Sequence, residues 1–281
     1  MKVTSLRNET TAQIYAWKEA GLSIGFVPTM GALHEGHLSL IRQAHKENEV
    51  VVCSIFVNPV QFNNPTDLEK YPRTMEADLD LLEKEGCDLA FAPDVDEMYP
   101  EPAAEKYDFG ALESVLEGKF RPGHFNGVGI VVSRLFDIIM PDNAYFGEKD
   151  YQQILIIKQL VANTKSTVNV VPCPIIRESD GLAMSSRNRR LTQEQRAVAP
   201  FIFKMLTEAQ QLSQKLSPED LVKWGEKMFE DHPEFKLDYF QISDNKSLMP
   251  IKAINNNKSG RLMVAAYLGK IRLIDNVLIN F

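Results

Sequence analysis

At 281 residues, with 44% hydrophobic and 25% charged residues, the chain can build one large or two modest folded units, and its composition is that of an ordinary globular protein. A net charge of −7 argues against a broad nucleic-acid-binding surface, while a local basic site stays open. No apolar run reaches bilayer length and MKVTSLRNETTAQIYAW at the N-terminus lacks a signal-peptide core, so a cytoplasmic protein without a membrane partner is expected.

The spacing of Leu6, Ile14 and Trp17 predicts an opening helix over residues 4–20. Ser23 to Val27 reads as a short buried strand, Pro28 to Ala32 as the loop that breaks it, and Gly36 onward as an amphipathic helix carrying Leu38, Leu40, Ile41 and Ala44. His34 and His37 are three apart, so they share a face if the first helical turn includes both. Unpaired N–H groups and the positive end of the helix dipole make such a start a seat for phosphates, and Gly31 and Gly36 would let a phosphate approach the backbone. Two imidazoles there could donate hydrogen bonds to a charge-rich transition state at phosphorus. Zinc is the rival reading, but a helical zinc site needs His-Glu-x-x-His, whereas HEGH places its histidines three apart with Gly between them.

Val50 to Val57 is a continuous apolar run, as expected for a parallel strand covered on both faces. Asn58 and Pro59 stop it, and VQFNNPTDLEKYPRT follows as a polar loop at the strand's carboxyl end, where open parallel sheets bind ligands. Met75 to Glu85 reads as a helix and Asp88 to Ala92 as a strand, before an irregular connection marked by Pro93, Pro100 and Pro102. Phe120 to Phe125 reads as a loop with Arg121 and His124, and Val128 to Met140 returns to helical spacing. A strand at Ala144 to Phe146, a helix from Asp150 to Asn163 and a strand at Val168 to Pro172 complete an alternation that predicts a doubly wound, Rossmann-like parallel sheet over residues 1–175.

The pattern changes after that point. Helical stretches at Thr192 to Gln214 and Pro218 to Asp231 precede strand readings at Leu237 to Ser243 and Arg261 to Leu273, so residues 176–281 are expected to form a smaller α+β lid domain. DGLAMSSRN, at Asp180 to Asn188, falls at the junction and could act as a hinged flap. Cys53, Cys87 and Cys173 are odd in number, widely spaced and in or beside apolar strands, which suits core residues.

FGEKDYQQ could serve a nucleotide: Gly147 permits close approach, Lys149 supplies a point charge and Asp150 can accept from ribose hydroxyls. The same letters also make a good helix start. Likewise MSSRN offers the hydroxyls of Ser185 and Ser186 and the charge of Arg187, and also reads as a polar turn before a helix.

HEGH after a strand and a PTMGAL turn resembles the His-x-Gly-His signature of the nucleotidyltransferase superfamily. The further blocks VNPVQF, YPRT, FGEKDYQQ, DGLAMSSRN and RLIDN resemble, in order and over nearly the whole chain, the pantothenate synthetase family, which joins pantoate to beta-alanine using ATP. MSSRN has serines and an arginine where the broader superfamily's Lys-Met-Ser-Lys-Ser loop carries lysines, a difference this family shares. The resemblance implies ATP contacts at Met30, Gly31, Ala32, Leu33, His34, Glu35, Gly36 and His37, at Gly147, Glu148, Lys149 and Asp150, and at Ile176, Met184, Ser185, Ser186 and Arg187. It implies pantoate binding by Gln61 and Gln153 with Asn58 in support, and catalysis by His34, His37, Lys149, Ser186 and Arg187 through a pantoyl adenylate. Mg2+ would fall to Asp78, with Ala77 in the first place of the family's acidic pair and Glu76 nearby, and the assembly would be a homodimer. Other classes remain distinguishable by their products: a transferase that retains the nucleotide, a class I tRNA synthetase fragment, or a nucleotide-binding regulator without catalysis.

Overall fold

A computed structural model describes residues 1–253 and 259–281, which divide by contact into two units, Met1–Glu148 with Gln152–Pro174 and Lys149–Tyr151 with Ile175–Phe281. In the first unit β1 (Lys2–Thr4), β2 (Ile24–Thr29), β3 (Val50–Ile55), β4 (Leu89–Phe91), β5 (Asn143–Gly147) and β6 (Asn169–Cys173) form one parallel sheet. Its order is β1-β4-β3-β2-β5-β6, so the chain winds outward from β2 in both directions, as a doubly wound sheet does. The helices α1 (Arg7–Glu19), α2 (Glu35–Glu47), α3 (Pro65–Glu69), α4 (Met75–Lys84), α5 (Val95–Met98), α6 (Leu116–Phe120), α7 (His124–Ile139) and α8 (Tyr151–Thr164) connect the strands.

The apolar run of β3 is explained by what lies on each side of it. Val50 and Val52 join Phe26, Leu89 and Phe91 in a cluster with Ile14 of α1 and Leu135 and Phe136 of α7. Val51, Cys53 and Ile55 join Val27 and Ala90 in a second cluster with Leu40, Ile41 and Ala44 of α2 and Leu82 of α4. Both faces of the strand are therefore covered, and alternation between apolar and polar residues is lost. Truncating the fully buried Phe26 to Ala would cost about 3–5 kcal/mol on this packing. All three cysteines are buried, and burial pushes the Cys87 thiol up to about 12 and that of Cys173 to about 11, so both stay protonated and inert.

The second unit contains α9 (Gln193–Val198), α10 (Phe201–Leu212) and α11 (Pro218–Glu230) with β7 (Phe235–Ser243), β8 (Ser259–Leu268) and β9 (Ile271–Asn280) in an antiparallel sheet of order β7-β8-β9. Its core is separate, built from residues such as Ile202, Leu206, Leu221, Phe240, Leu262 and Val264.

Several sequence expectations need correction. β1 is a three-residue edge strand, too short for periodicity to reveal, and Leu6, expected in the core, is 43% exposed. Pro28 does not break β2, because its side of the strand faces β5, whose pairing to β2 ends at Phe26, so no ladder bond is lost. His124 opens α7 instead of lying in a loop. The stretch expected as one helix from Thr192 is divided at Pro200, which cannot continue the hydrogen-bond ladder. The stretch expected as strand from Arg261 to Leu273 is a hairpin: Leu268 pairs with Ile271 across a two-residue turn in which Gly269 adopts φ +59°.

Candidate active site

In the first unit the site is built where β2 ends. Gly31 (φ +81°) and Ala32 (φ +50°) turn the chain through left-handed conformations, and three successive amides then find internal partners. Gly31 N–H donates to Thr29 Oγ1 (3.2 Å), Ala32 N–H to Asp78 Oδ2 (2.8 Å) and Leu33 N–H to Asp78 Oδ1 (2.7 Å). The Ala32 and Leu33 side chains are buried. A Cβ on Gly31 would stand 3.0 Å from Asp78 Oδ2 and 3.1 Å from Ile55 Cγ2, so this glycine serves the turn and its packing.

α2 starts directly after the turn. His34 is its N-cap, with Nδ1 accepting from Gly36 N–H (3.2 Å), while His37 Nδ1 accepts from His34 N–H (3.3 Å). The ring centroids are 4.0 Å apart. A ring nitrogen that accepts a backbone N–H carries no proton, so in each neutral imidazole the proton sits on Nε2. The reciprocal cap thus makes two Nε2–H donors at the positive end of α2. Glu35, in contrast, pairs at the surface with Arg42, whose guanidinium holds its carboxyl below the usual range.

Gln61 lies in a helical turn after β3, where a plain loop was expected, and its surroundings were not legible in the sequence. Asn58, expected to contact substrate, is 1% exposed with its amide fully used: Nδ2 donates to Gln61 Oε1 (3.1 Å) and Gly127 O (3.2 Å), while Oδ1 accepts from Val60 N–H and the Tyr99 hydroxyl. It therefore holds Gln61 in place. His124 of α7 grips the same turn, its Nδ1 lying 2.9 Å from Gln61 O and its Nε2 3.0 Å from Arg121 Nη1. Gly127 allows α7 to come this close, since a Cβ there would meet Val60 O at 2.6 Å. The FRPGHF block carried this signal, an Arg and a His three apart at a helix start. Of the two adjacent glutamines at the start of α8, Gln152 is buried and bonds Glu117 N–H, Leu112 O and Val115 O, whereas Gln153 is half-buried with no side-chain hydrogen bond among the described residues. Gly147 closes β5, and Glu148 begins a single 3-10 turn.

The remaining candidates belong to the second unit. Lys149 and Asp150 face each other (Nζ to Oδ2, 3.8 Å), and the backbone carbonyl of Lys149 accepts from Asn276 Nδ2 of β9 (3.1 Å). Arg261 of β8 stacks its guanidinium 3.7 Å from the Tyr151 ring. The segment from Ile176 to Met184 doubles back on itself: Met184 N–H donates to Ile176 O (3.0 Å), and Glu178 N–H to Leu182 O (2.8 Å). Arg177 fixes it by a bidentate pair with Asp275 (2.6 and 3.0 Å) and stacks 3.8 Å over Phe203. Burial pushes the Asp275 carboxyl up while Arg177 pulls it down. Ser185 Oγ then accepts from Arg187 N–H, starting the 3-10 turn Ser186–Arg190, in which Ser186 is buried and Arg187, Arg189 and Arg190 are clustered. Arg177, Asp275, Asn276 and Arg261 were missed as functional supports; an Asp-Asn pair inside the apolar β9 was the available clue.

A magnesium site does not fit the residues expected to form it. Asp78 is 2% exposed and its carboxylate accepts from two backbone amides and, at 3.1 and 3.2 Å, from Thr74 Oγ1. Among the described residues, no group of three His, Cys, Asp or Glu side chains converges to hold a metal ion, and no helix is long and apolar enough to cross a membrane.

The family model for pantoate-beta-alanine ligase matches residues 2–278. A pantothenate synthetase of Christiangramia forsetii is 50% identical over 265 residues, covering 94% of both chains, and one of Bacteroides thetaiotaomicron is 44% identical over 277 residues, covering 99% of this chain and 98% of that one. Among solved structures, the pantothenate synthetase of Thermus thermophilus superposes with a TM-score of 0.91 at 42% identity over 99% of each chain. The pantoate-beta-alanine ligase of Francisella tularensis, complexed with beta-gamma ATP and beta-alanine, gives 0.83 at 38% identity, covering 99% of this chain and 97% of that one.

Proposed function

The chain belongs to the pantoate-beta-alanine ligase family, and on that premise we propose that it condenses pantoate with beta-alanine in two half-reactions, through a pantoyl adenylate. The observation that carries this reading is the pair of imidazoles at the start of α2, each with Nδ1 occupied by a backbone N–H and its proton therefore on Nε2. That arrangement suits a phosphorus centre gaining negative charge, because the donors are set before the reaction begins.

In the first half-reaction a pantoate carboxylate oxygen attacks the α-phosphorus of ATP. The bond from that phosphorus to the bridging oxygen breaks, and pyrophosphate leaves with the electron pair. His34 and His37 of the first unit donate to the phosphoryl oxygens, and from the second unit the family resemblance offers Lys149, Ser186 and Arg187 as further charge-stabilising groups. Adenine is read by the backbone around Ile176 and Met184. Because Asp78 spends its carboxylate on the chain itself, it would not be free to hold a magnesium ion accompanying the nucleotide.

Pantoate lies against Gln61 and Gln153. Gln61 is held by Asn58 and His124, so its amide is oriented before a substrate hydroxyl arrives, and Gln153 has its hydrogen-bonding capacity uncommitted among the described residues. In the second half-reaction the amine of beta-alanine attacks the acyl carbon, the amide bond forms, and AMP leaves with its oxygen while the amine loses a proton. No covalent enzyme intermediate is needed, because the adenylate is already an activated acyl group.

The test is incubation with ATP, magnesium and pantoate, followed by beta-alanine. Pyrophosphate is expected only when pantoate is present, and AMP and pantothenate in equal amounts once beta-alanine is added. Pyrophosphate release independent of pantoate, or AMP retained in the product, would refute the reading.

A further inference from the structure

We propose that Asp78 is a positioning residue for the phosphate-facing turn, and that it performs this task in place of metal binding. The turn from Met30 to Leu33 is under backbone strain: Ala32, which has a Cβ, is left-handed at φ +50°, a conformation that L side chains disfavour. With Gly31 also left-handed, the amides of Ala32 and Leu33 converge on one point and form a concave donor pair of the sort that binds anions. The occupant is the chain's own carboxylate, at 2.8 and 2.7 Å, held in turn by Thr74 Oγ1. Asp78 sits in the first turn of α4, whose Leu82 packs in the same buried cluster as Leu33, so the clamp is mounted on a rigid element.

The consequence falls on the histidines. His34 follows Leu33 directly and caps α2, so the direction in which the chain leaves the clamped turn sets where both imidazoles stand. Without the carboxylate, two buried donors lose their acceptor and nothing offsets the strain at Ala32, which lets the turn relax and moves the Nε2–H groups off their target. The inference rests on the ligase reading only for its rate readout.

Asp78→Asn tests it, because the amide keeps the shape but can accept from only one of the two N–H groups. In unliganded protein, hydrogen exchange at the Ala32 and Leu33 amides should accelerate about tenfold or more. Pyrophosphate release with saturating ATP, magnesium and pantoate should fall about tenfold or more in kcat, at a temperature where circular dichroism shows the variant folded. The half-saturating magnesium concentration should stay within about twofold of the parent value. The second variant, Asp78→Asn with Ala32→Gly, removes the left-handed penalty and should recover kcat several-fold, which a lost metal ligand would not allow.

Recovery of the Asp78→Asn rate at high magnesium, unchanged exchange at the two amides, or no gain from Ala32→Gly in the folded double variant would each overturn the proposal. If the parent protein releases no pyrophosphate with pantoate, the ligase reading falls, and the exchange arm still decides whether Asp78 holds the turn.

Discussion

The start of α2 and the segment from Ile176 to Asn188 are held in place by different means. At α2 the geometry is local: a parallel strand ends, two left-handed residues turn the chain, and the histidines cap the helix within three residues of each other. A distant contribution comes from a buried carboxylate that meets backbone amides. The Ile176 segment closes on itself through local hydrogen bonds and is then tied by a side chain from the far end of the chain, with Asp275 gripping Arg177 across 98 positions of sequence. A site made by backbone conformation should lose chemistry before stability when mutated. One made by a buried ion pair should lose stability first.

Asp275→Ala is the strongest way to test that contrast. It strands Arg177, whose side chain is only 17% exposed, beside an emptied buried site, and removing one partner of such a pair costs about 3–5 kcal/mol. Denaturant unfolding should show the second unit losing its transition at markedly lower denaturant, while hydrogen exchange in β2 and β3 stays at its parent level. A loss below about 1 kcal/mol would mean that the pair is held open to solvent and that the segment has another anchor.

His37→Ala should behave in the opposite way. On the proposed reading it removes a donor to the developing charge, worth about 10²–10³ in rate. Its cost to stability should be no more than about 1 kcal/mol for the lost reciprocal cap. Pantoate-dependent pyrophosphate release and a melting curve on one preparation check both halves. A melting temperature that falls as far as for Asp275→Ala would erase the distinction between the two regions.

The same contrast explains what could be read from the amino-acid sequence. The strand, the glycine turn and the paired histidines are close in sequence, so spacing alone placed both imidazoles at one helix start, and the apolar run VVVCSI announced a strand covered on both faces. Asp78 was found as a candidate for metal binding, because an acidic residue in that block suggests a metal, whereas its hydrogen bonds to amides 45 and 46 positions away could not be read from the sequence. Asn58 was placed next to Gln61 correctly, but its burial, and hence its supporting role, depends on α7 packing onto it through Gly127. The Asp275–Asn276 pair stood out as polar residues inside an apolar strand, but its links could not be read, since a buried polar pair in a strand has no partner visible from its neighbours.

The smallest expected effect concerns Glu35, which sits inside the HEGH block and yet points to the surface, bonded to Arg42, which also binds Glu85 at 2.7 Å. Arg42 holds the Glu35 carboxyl below its ordinary value of 4.5, so the pair adds stability above that pH and loses it as pH falls through the lowered value. Both side chains are 45% exposed, and a solvent-screened pair of this kind is worth about 0.5 kcal/mol, or roughly 1–2 °C in melting temperature for a chain of this size. Glu35→Gln should therefore lower the melting temperature slightly at pH 7, with the gap narrowing as the pH falls below 4.5. Its effect on pyrophosphate release should be far smaller than that of His37→Ala, because the turn is fixed from its buried side by Asp78. A rate loss comparable to that of His37→Ala would show that the surface pair, and not the buried carboxylate, sets the direction of the first turn of α2.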